Sequence, residues 1–121
     1  MTTVFPYQPA SEFETPERCL ITELLNADQD AQCSIALARV PVGVTTQLHS
    51  LTQTVERYVI LEGAGVVEIA GAAPEVVKPL DVVLINAGDS QRVTNTAGTE
   101  LLILCICTPR FKPDRYQNLE P

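Results

Sequence analysis

Several residue types are scarce in this chain. Its 121 residues include one histidine, no tryptophan and only 5% aromatic side chains. With a single histidine, any metal site must be poor in nitrogen ligands. Basic residues are also outnumbered, at 8 Lys and Arg against 15 Asp and Glu, so the net charge is −7. That balance argues against a nucleic-acid or anionic-membrane partner, because phosphate groups need a basic protein surface.

Membrane-spanning and secretory features are lacking as well. No apolar run approaches the roughly 18 residues of a membrane-spanning helix. The first residues, Met1 followed by Thr, Thr, Val, Phe and Pro, do not resemble a signal peptide, so a cytoplasmic location is expected. The four cysteines match neither a zinc knuckle nor a Cys-x-x-Cys redox motif, and in a reducing compartment they are expected to pack as small apolar residues.

What the chain does have is a series of short alternating or apolar runs, rich in Val, Ile, Leu and Thr and separated by turn residues. The predicted strands are Ser34–Val40, Thr46–Ser50, Glu56–Glu62, Gly65–Ile69, Asp81–Ile85, Gln91–Asn95 and Leu101–Cys107. Many short strands without intervening helices predict an all-β sandwich or closed barrel in a single domain.

One segment gives conflicting signals. Thr15-Pro16-Glu17 is a good helix start, and the leucine and isoleucine residues that follow it fall near helical spacing. The residues alone leave a helix and a strand equally open over Glu17–Leu25.

Aromatic and proline residues are concentrated in the two end segments. An aliphatic barrel with aromatic arms, packed on its outside or on a partner subunit, would show this distribution, because the arms would otherwise expose large apolar groups. The expected organisation is an N-terminal arm at 1–18, a barrel at 19–107 and a C-terminal tail at 108–121.

The most specific pattern lies in the middle of the chain. Gly43, His49, Glu56 and Gly63 have the spacing of the first cupin motif: glycine, five residues, His-x-His, three or four residues, glutamate, six residues, glycine. Leu51 stands at the place of the second histidine. The chain therefore resembles the cupin family. The resemblance implies a double-stranded β-helix, or jelly-roll, barrel, with a strand in the ambiguous Glu17–Leu25 segment.

A second, weaker cupin motif follows at the right distance. Gly88 and Asn95 match it, whereas Leu80, Asn86 and Gln91 replace its glycine, proline and histidine. The turn survives these changes, because Asn-Ala-Gly still favours one. The histidine replacement matters more, because an amide oxygen is a weaker metal donor than imidazole.

The resemblance implies a reduced metal site inside the barrel. His49, Glu56 and Gln91 occupy positions at which cupins hold a divalent metal, and the set suits iron, manganese, nickel or zinc. The residues themselves leave alternatives. A lone histidine is usually a hydrogen-bonded interior residue, and a buried glutamate requires a cation, a metal or protonation.

Strand periodicity adds candidate ligand-binding residues. Gln47 and Leu51 share a strand face with His49, and Cys105 and Cys107 share one face of the last strand. The two thiols are candidate soft ligands or nucleophiles. Core packing is the simpler interpretation, because no base is visibly paired with either of them.

Three functions from different classes remain open. The first is a metal-dependent dioxygenase or isomerase acting on a small organic molecule. The second resembles the metal-free sugar epimerases of this barrel, with His49 as the general base and Tyr58 as the acid. The third is a non-catalytic binding protein for a small organic ligand with a mostly apolar pocket. The resemblance also implies a homodimer.

Overall fold

A computed structural model of the protein describes residues 3–121, and antiparallel strands make up its architecture. In chain order the strands are β1 (Phe13–Glu14), β2 (Leu20–Leu25), β3 (Ser34–Val40), β4 (His49–Leu51), β5 (Val55–Glu62), β6 (Gly65–Ile69), β7 (Glu75–Val77), β8 (Val82–Ile85), β9 (Gln91–Asn95), β10 (Leu101–Thr108) and β11 (Tyr116–Asn118). Short 3-10 turns occupy Pro9–Ser11, Asp28–Asp30 and Pro113–Arg115. The prediction of an all-β jelly roll is confirmed.

The strands form two sheets, ordered β1-β2-β3-β10-β5-β8 and β11-β4-β9-β6-β7. Along β5 and β9 every second residue is buried, as expected of strands with one face turned to the interior. The largest buried cluster draws on both sheets and consists of Cys19, Ala38, Val40, Tyr58, Ile60, Val67, Val77, Ile85, Val93, Leu101 and Ile103. The inward faces of the two sheets therefore share one apolar core.

All seven predicted strands are present, with bounds shifted by at most three residues. The ambiguous segment contains a strand, since β2 pairs with β3 from Leu20 opposite Arg39 onward. A helix there would leave one edge of β3 without its hydrogen-bonding partner, and tertiary pairing overrides the local helical signals. Three short strands were not predicted: β1, β7 and β11.

The two end segments are part of the sheets. Of the arm predicted at 1–18, Met1 and Thr2 lie outside the described residues, and β1 in the same segment pairs with β2. The segment predicted as a tail at 108–121 contains β11, which pairs with β4 in the second sheet, Tyr116 opposite Leu51. Arg110, in the same segment, donates hydrogen bonds to Asn26 and Asp28. These short polar stretches carry little periodicity, which is why sequence reasoning placed them outside the barrel.

Among residues 3–121 there is no helix with the length and apolar character needed to cross a membrane.

Asn95 fastens the loop that leads into β10. Its side-chain amide donates to the carbonyl oxygens of Val40 and Thr99, both at 2.9 Å, and its oxygen accepts from the Ala97 N–H at 3.0 Å. The residue is only 2% exposed. Removal of the amide would leave several buried backbone groups without partners.

We expect Asn95→Ala to lower the free energy of unfolding by about 2–3 kcal/mol, measured by urea titration. Thr96→Ala is the matched control, because Thr96 is exposed beside Asn95 and should change the value by less than about 0.5 kcal/mol. Equal unfolding midpoints for the two variants would contradict this role of Asn95.

Candidate functional site

The barrel encloses a cavity of about 400 Å³. Apolar side chains from both sheets form most of its wall. The polar and thiol groups at the cavity are Thr15, Glu17, Cys19, Glu23, Ser34, Thr46, His49, Glu56, Tyr58, Cys105, Cys107 and Tyr116. A mostly apolar cavity with a few convergent polar groups is the usual form of a small-molecule site.

His49 presents one ring nitrogen as a base. It is 3% exposed, and its Nδ1 lies 2.7 Å from the Gln47 carbonyl oxygen. A carbonyl only accepts hydrogen bonds, so Nδ1 carries the proton and, in the neutral ring, Nε2 carries the lone pair. The imidazole also stacks on the Tyr116 ring, with centroids 4.7 Å apart and planes 16° from parallel. Both contacts fix the orientation of the ring.

Glu56 is a buried carboxyl group with an incomplete set of partners. Its Oε2 accepts a weak hydrogen bond from the Cys107 thiol at 3.7 Å, whereas Oε1 has no partner among the described residues. Burial, and after it the nearby charge of Glu17, raises the pKa of Glu56 to about 7, against smaller lowering effects of hydrogen bonding to Gln91 and Cys107. Near neutral pH this carboxyl group is therefore able to give or take a proton.

Tyr58 and Gln91 join β5 to β9 across the interior. The Tyr58 hydroxyl donates a short hydrogen bond to Gln91 Oε1. Gln91 is fully buried, and its Nε2, like Glu56 Oε1, lacks a hydrogen bond of full geometry among the described residues, although the Gln91 amide lies close enough to Glu56 to lower the pKa of that carboxyl group. Burial, together with the charge of Glu56, raises the pKa of Tyr58 well above its usual value. Tyr58 thus remains protonated, with its hydroxyl hydrogen directed to Gln91.

Glu17 is a site residue that sequence reasoning missed. It lines the cavity from the segment between β1 and β2, where Gln47 N–H donates to its backbone oxygen at 3.0 Å. Burial raises the pKa of its carboxyl group, while the positive charge of His49 and a hydrogen bond from Cys19 lower it. No motif could have revealed Glu17, because a backbone contact with Gln47, distant in sequence and just before β4, brings it to the site.

The two end segments also build the mouth of the cavity. Tyr116 on β11 covers His49, and its hydroxyl donates to Gln47 Oε1 at 2.5 Å. Arg18 forms a salt bridge of 2.7 Å with Glu120, which links the N-terminal segment to the C-terminal one. The site therefore depends on residues from both ends of the chain.

Comparison with known proteins identifies the fold. None of the protein-family models matches the chain. The sequence is 32% identical over 116 residues to an uncharacterized protein, MJ1618 of Methanocaldococcus jannaschii, and the match covers 94% of this chain and 92% of the relative. The structure of the chain is similar to the cupin domain of Cnp3 from Schizosaccharomyces pombe, with a TM-score of 0.70 and 12% identity over 76% of this chain and 65% of that one. The chain belongs to the same family as MJ1618, and it has the cupin fold.

Two other solved cupins are similar to it. Pac13 of Streptomyces, described as a nucleoside dehydratase and solved with uridine in variant forms, has a TM-score of 0.79 and 12% identity over 98% of this chain and 92% of that one. A predicted oxalate decarboxylase from Thermotoga maritima has a TM-score of 0.69 and 28% identity over 75% of this chain and 80% of that one. The structural neighbours of this cupin thus include enzymes.

The residues of this cupin do not fit the reduced metal site that the motif implied. Within residues 3–121, no three His, Cys, Asp or Glu side chains are grouped closely enough to hold a metal ion. A metal site would therefore need Gln91 as its third ligand. The side-chain oxygen of Gln91 already accepts a hydrogen bond from Tyr58, and the side-chain nitrogen of an amide is not a metal ligand. His49 and Gln91 are nevertheless neighbours, as directly paired residues of β4 and β9. Metal binding stays a prediction that the donor geometry does not favour.

The other predicted ligand-binding residues divide into two groups. Leu51, Cys105 and Cys107 line the cavity, whereas Gln47 is not part of its wall and holds His49 and Tyr116 instead. Burial raises the pKa of the Cys105 and Cys107 thiols, so they remain protonated near neutral pH. A protonated thiol is a poor nucleophile, which favours packing and weak hydrogen bonding as their roles.

The raised pKa of Glu56 has a consequence for stability. An unfolded glutamate titrates at about 4.3, below the folded value of about 7. Stability from the protonated carboxyl group is therefore fully present below the unfolded pKa and is lost as the pH rises through 7. Glu17, whose pKa is also raised by burial, acts in the same direction.

We expect the free energy of unfolding to fall between pH 5 and pH 8 by on the order of 2 kcal/mol from Glu56 alone. Urea titrations at both pH values should show a much smaller fall in Glu56→Gln, which cannot ionise. Glu75→Gln, at an exposed position of β7, is the control and should retain the wild-type dependence. A fall that is identical in Glu56→Gln and wild type would show that Glu56 titrates normally in the folded protein.

Proposed function

We propose that this cupin binds a small organic molecule in its barrel cavity and exchanges protons with it through His49 and Glu56, without a metal. The observation that carries the proposal is the Glu56 carboxyl group, which is buried, lacks a partner at Oε1, and lies in the same cavity as a histidine with fixed orientation. A buried polar atom without a partner is costly, and a bound ligand would satisfy it.

The two groups have complementary roles. Neutral His49 accepts a proton at Nε2, because Nδ1 is engaged with the Gln47 carbonyl. Glu56, with its pKa raised to about 7, donates a proton from its neutral form. Removal of a proton from a C–H bond by His49, with delivery of a proton by Glu56 to the oxygen that gains electrons, supports isomerisation, epimerisation or elimination.

Tyr58 is better suited to positioning than to acid catalysis. Its hydroxyl hydrogen is directed to Gln91, and burial raises the pKa of the phenol well above neutrality. Glu56 therefore replaces Tyr58 as the acid in this proposal. The similarity to Pac13, described as a nucleoside dehydratase, supports a small-molecule role only at the level of the shared barrel, because the two sequences are 12% identical.

The chain offers an unusually direct assay, because His49 is its only histidine. Its imidazole signals in proton–nitrogen spectra need no assignment, and they should show the proton on Nδ1. Neutral nucleosides and sugars, beginning with uridine, can be screened by the shift of these signals. Molecules that bind are then incubated with the protein in deuterium oxide.

We expect deuterium to enter one C–H position of a bound ligand, because His49 removes that proton and returns one from solvent. His49→Gln should abolish the exchange while ligand binding persists; binding to this variant, which lacks the imidazole signals, is followed by the shift of its thermal unfolding midpoint. The control is again Glu75→Gln, which should retain both. Binding without exchange in the wild-type protein would instead support a non-catalytic binding protein.

Metal content gives the competing function a direct test. Protein purified without added metal should contain well below one equivalent of iron, manganese, nickel or zinc, because the described donors do not converge. Elemental analysis that finds one equivalent, lost in His49→Ala, would overturn the metal-free proposal and favour the metal-dependent dioxygenase or isomerase.

The homodimer implied by the cupin family is a separate proposal. The exposed Val4, Phe5 and Tyr7 of the N-terminal segment support it.

A further inference from the structure

Among the Asp, Glu, Lys, Arg and His side chains that line the cavity, all are acidic except His49. Glu17, Glu23 and Glu56 line it, whereas no lysine or arginine is among its lining residues. Arg18 pairs with Glu120, Arg39 pairs with Glu12 and Glu100, and Arg57, which follows Glu56 in β5, donates to the Thr108 hydroxyl. An anionic ligand would therefore enter a negative cavity without a cation to receive it.

Glu56 shows that this charge is not balanced within the protein. The residue is only 8% exposed, its Oε2 has a thiol as its hydrogen-bond donor, and its Oε1 has no partner among the described residues. Glu17 is close enough for its charge to oppose ionisation of Glu56. Two carboxyl groups that repel each other across a cavity are both stabilised when a cation lies between them.

The cavity wall suits an organic cation better than a metal ion. Tyr116 and Phe111 contribute aromatic rings to the wall, and Ile21 and Ile103 contribute aliphatic surface. An ammonium group has several N–H donors for carboxylate oxygens and also interacts favourably with aromatic rings. A metal ion would need three convergent ligands, which His, Cys, Asp and Glu do not provide within residues 3–121.

We propose that the ligand of this cupin is an organic amine whose cationic nitrogen is held between Glu56 and Glu17, with its apolar part in the barrel. The inference rests on the binding part of the proposed function, in that it names the chemical class of the molecule bound in the same cavity. In this complex Glu56 is ionised, and the ammonium group of the ligand takes its place as the proton donor. The ammonium group hydrogen-bonds to Glu56 Oε1, and the neighbouring carbon lies within reach of His49.

Three probes of similar shape and different charge test this class: benzylamine, benzyl alcohol and benzoate. Binding is followed at pH 8 by the shift of the His49 imidazole signals, which restricts the readout to the cavity. We expect benzylamine to bind at least about tenfold more tightly than benzyl alcohol, because its ammonium group makes a charge-assisted hydrogen bond to the carboxylate. Benzoate should not bind detectably.

Variants distinguish the effect of the carboxylate charge on binding from the effect of the cavity's shape. Glu56→Gln and Glu17→Gln should each reduce the preference for benzylamine at least several-fold while benzyl alcohol still binds, and Glu75→Gln should leave the preference unchanged. Thermal unfolding of each variant establishes that it is folded. Loss of benzyl alcohol binding together with the amine in a folded variant would show a collapsed cavity rather than a lost charge, and would overturn the assignment of that residue.

The remaining outcomes distinguish this inference from the function on which it rests. Equal binding of benzylamine and benzyl alcohol would overturn the amine class and leave a small-molecule cavity in place. The absence of His49 shifts with all three probes would overturn both proposals. Zinc chloride alone is the last probe. If zinc shifts the His49 signals in wild type but not in Glu56→Gln, and benzylamine has no effect, the ligand of the site is a metal ion and not an amine.

Discussion

Glu56 is a carboxyl group enclosed by a barrel whose cavity wall offers it neither lysine nor arginine. Water is largely excluded, so ionisation of Glu56 depends on a thiol, an amide and the neighbouring Glu17. A thiol is a weak hydrogen-bond donor, and the charge of Glu17 disfavours ionisation of Glu56. The buried carboxyl group is therefore stabilised either by protonation or by a partner from outside the protein. The acid–base character of the cavity and its preference in ligand charge both follow from this one unbalanced group.

The fold was predictable because its signals are local and repeated. Residues of β5 and β9 alternate between buried and half-buried, as the sequence pattern of these strands predicts, and the spacing of His49 and Glu56 places them on consecutive strands of the chain, one in each sheet, that both face the cavity. The second motif was informative even where its residues differed. Gln91 is fully buried and pairs directly with His49, in the register that the motif required.

What the sequence could not provide are the contacts between segments far apart in the chain. Glu17 reaches the cavity through a backbone hydrogen bond to Gln47, and Tyr116 reaches His49 because β11 pairs with β4. Neither segment has a periodic pattern, and both resemble solvated ends in composition. The donor geometry was equally hidden, since only the three-dimensional arrangement shows that Tyr58 engages the oxygen of Gln91.

The bond between Tyr58 and Gln91 constrains what substitutions this cupin can accept. The substitutions Leu51→His and Gln91→His would restore the two histidines that the cupin motif has at these positions. Yet Gln91→His would remove the amide oxygen that receives the Tyr58 hydroxyl, and a phenol that is 5% exposed would need a new acceptor. A functional metal centre would then require coordinated changes at three positions, with each single step costing stability. The departure from the family's ligand set is, for this chain, difficult to reverse one mutation at a time.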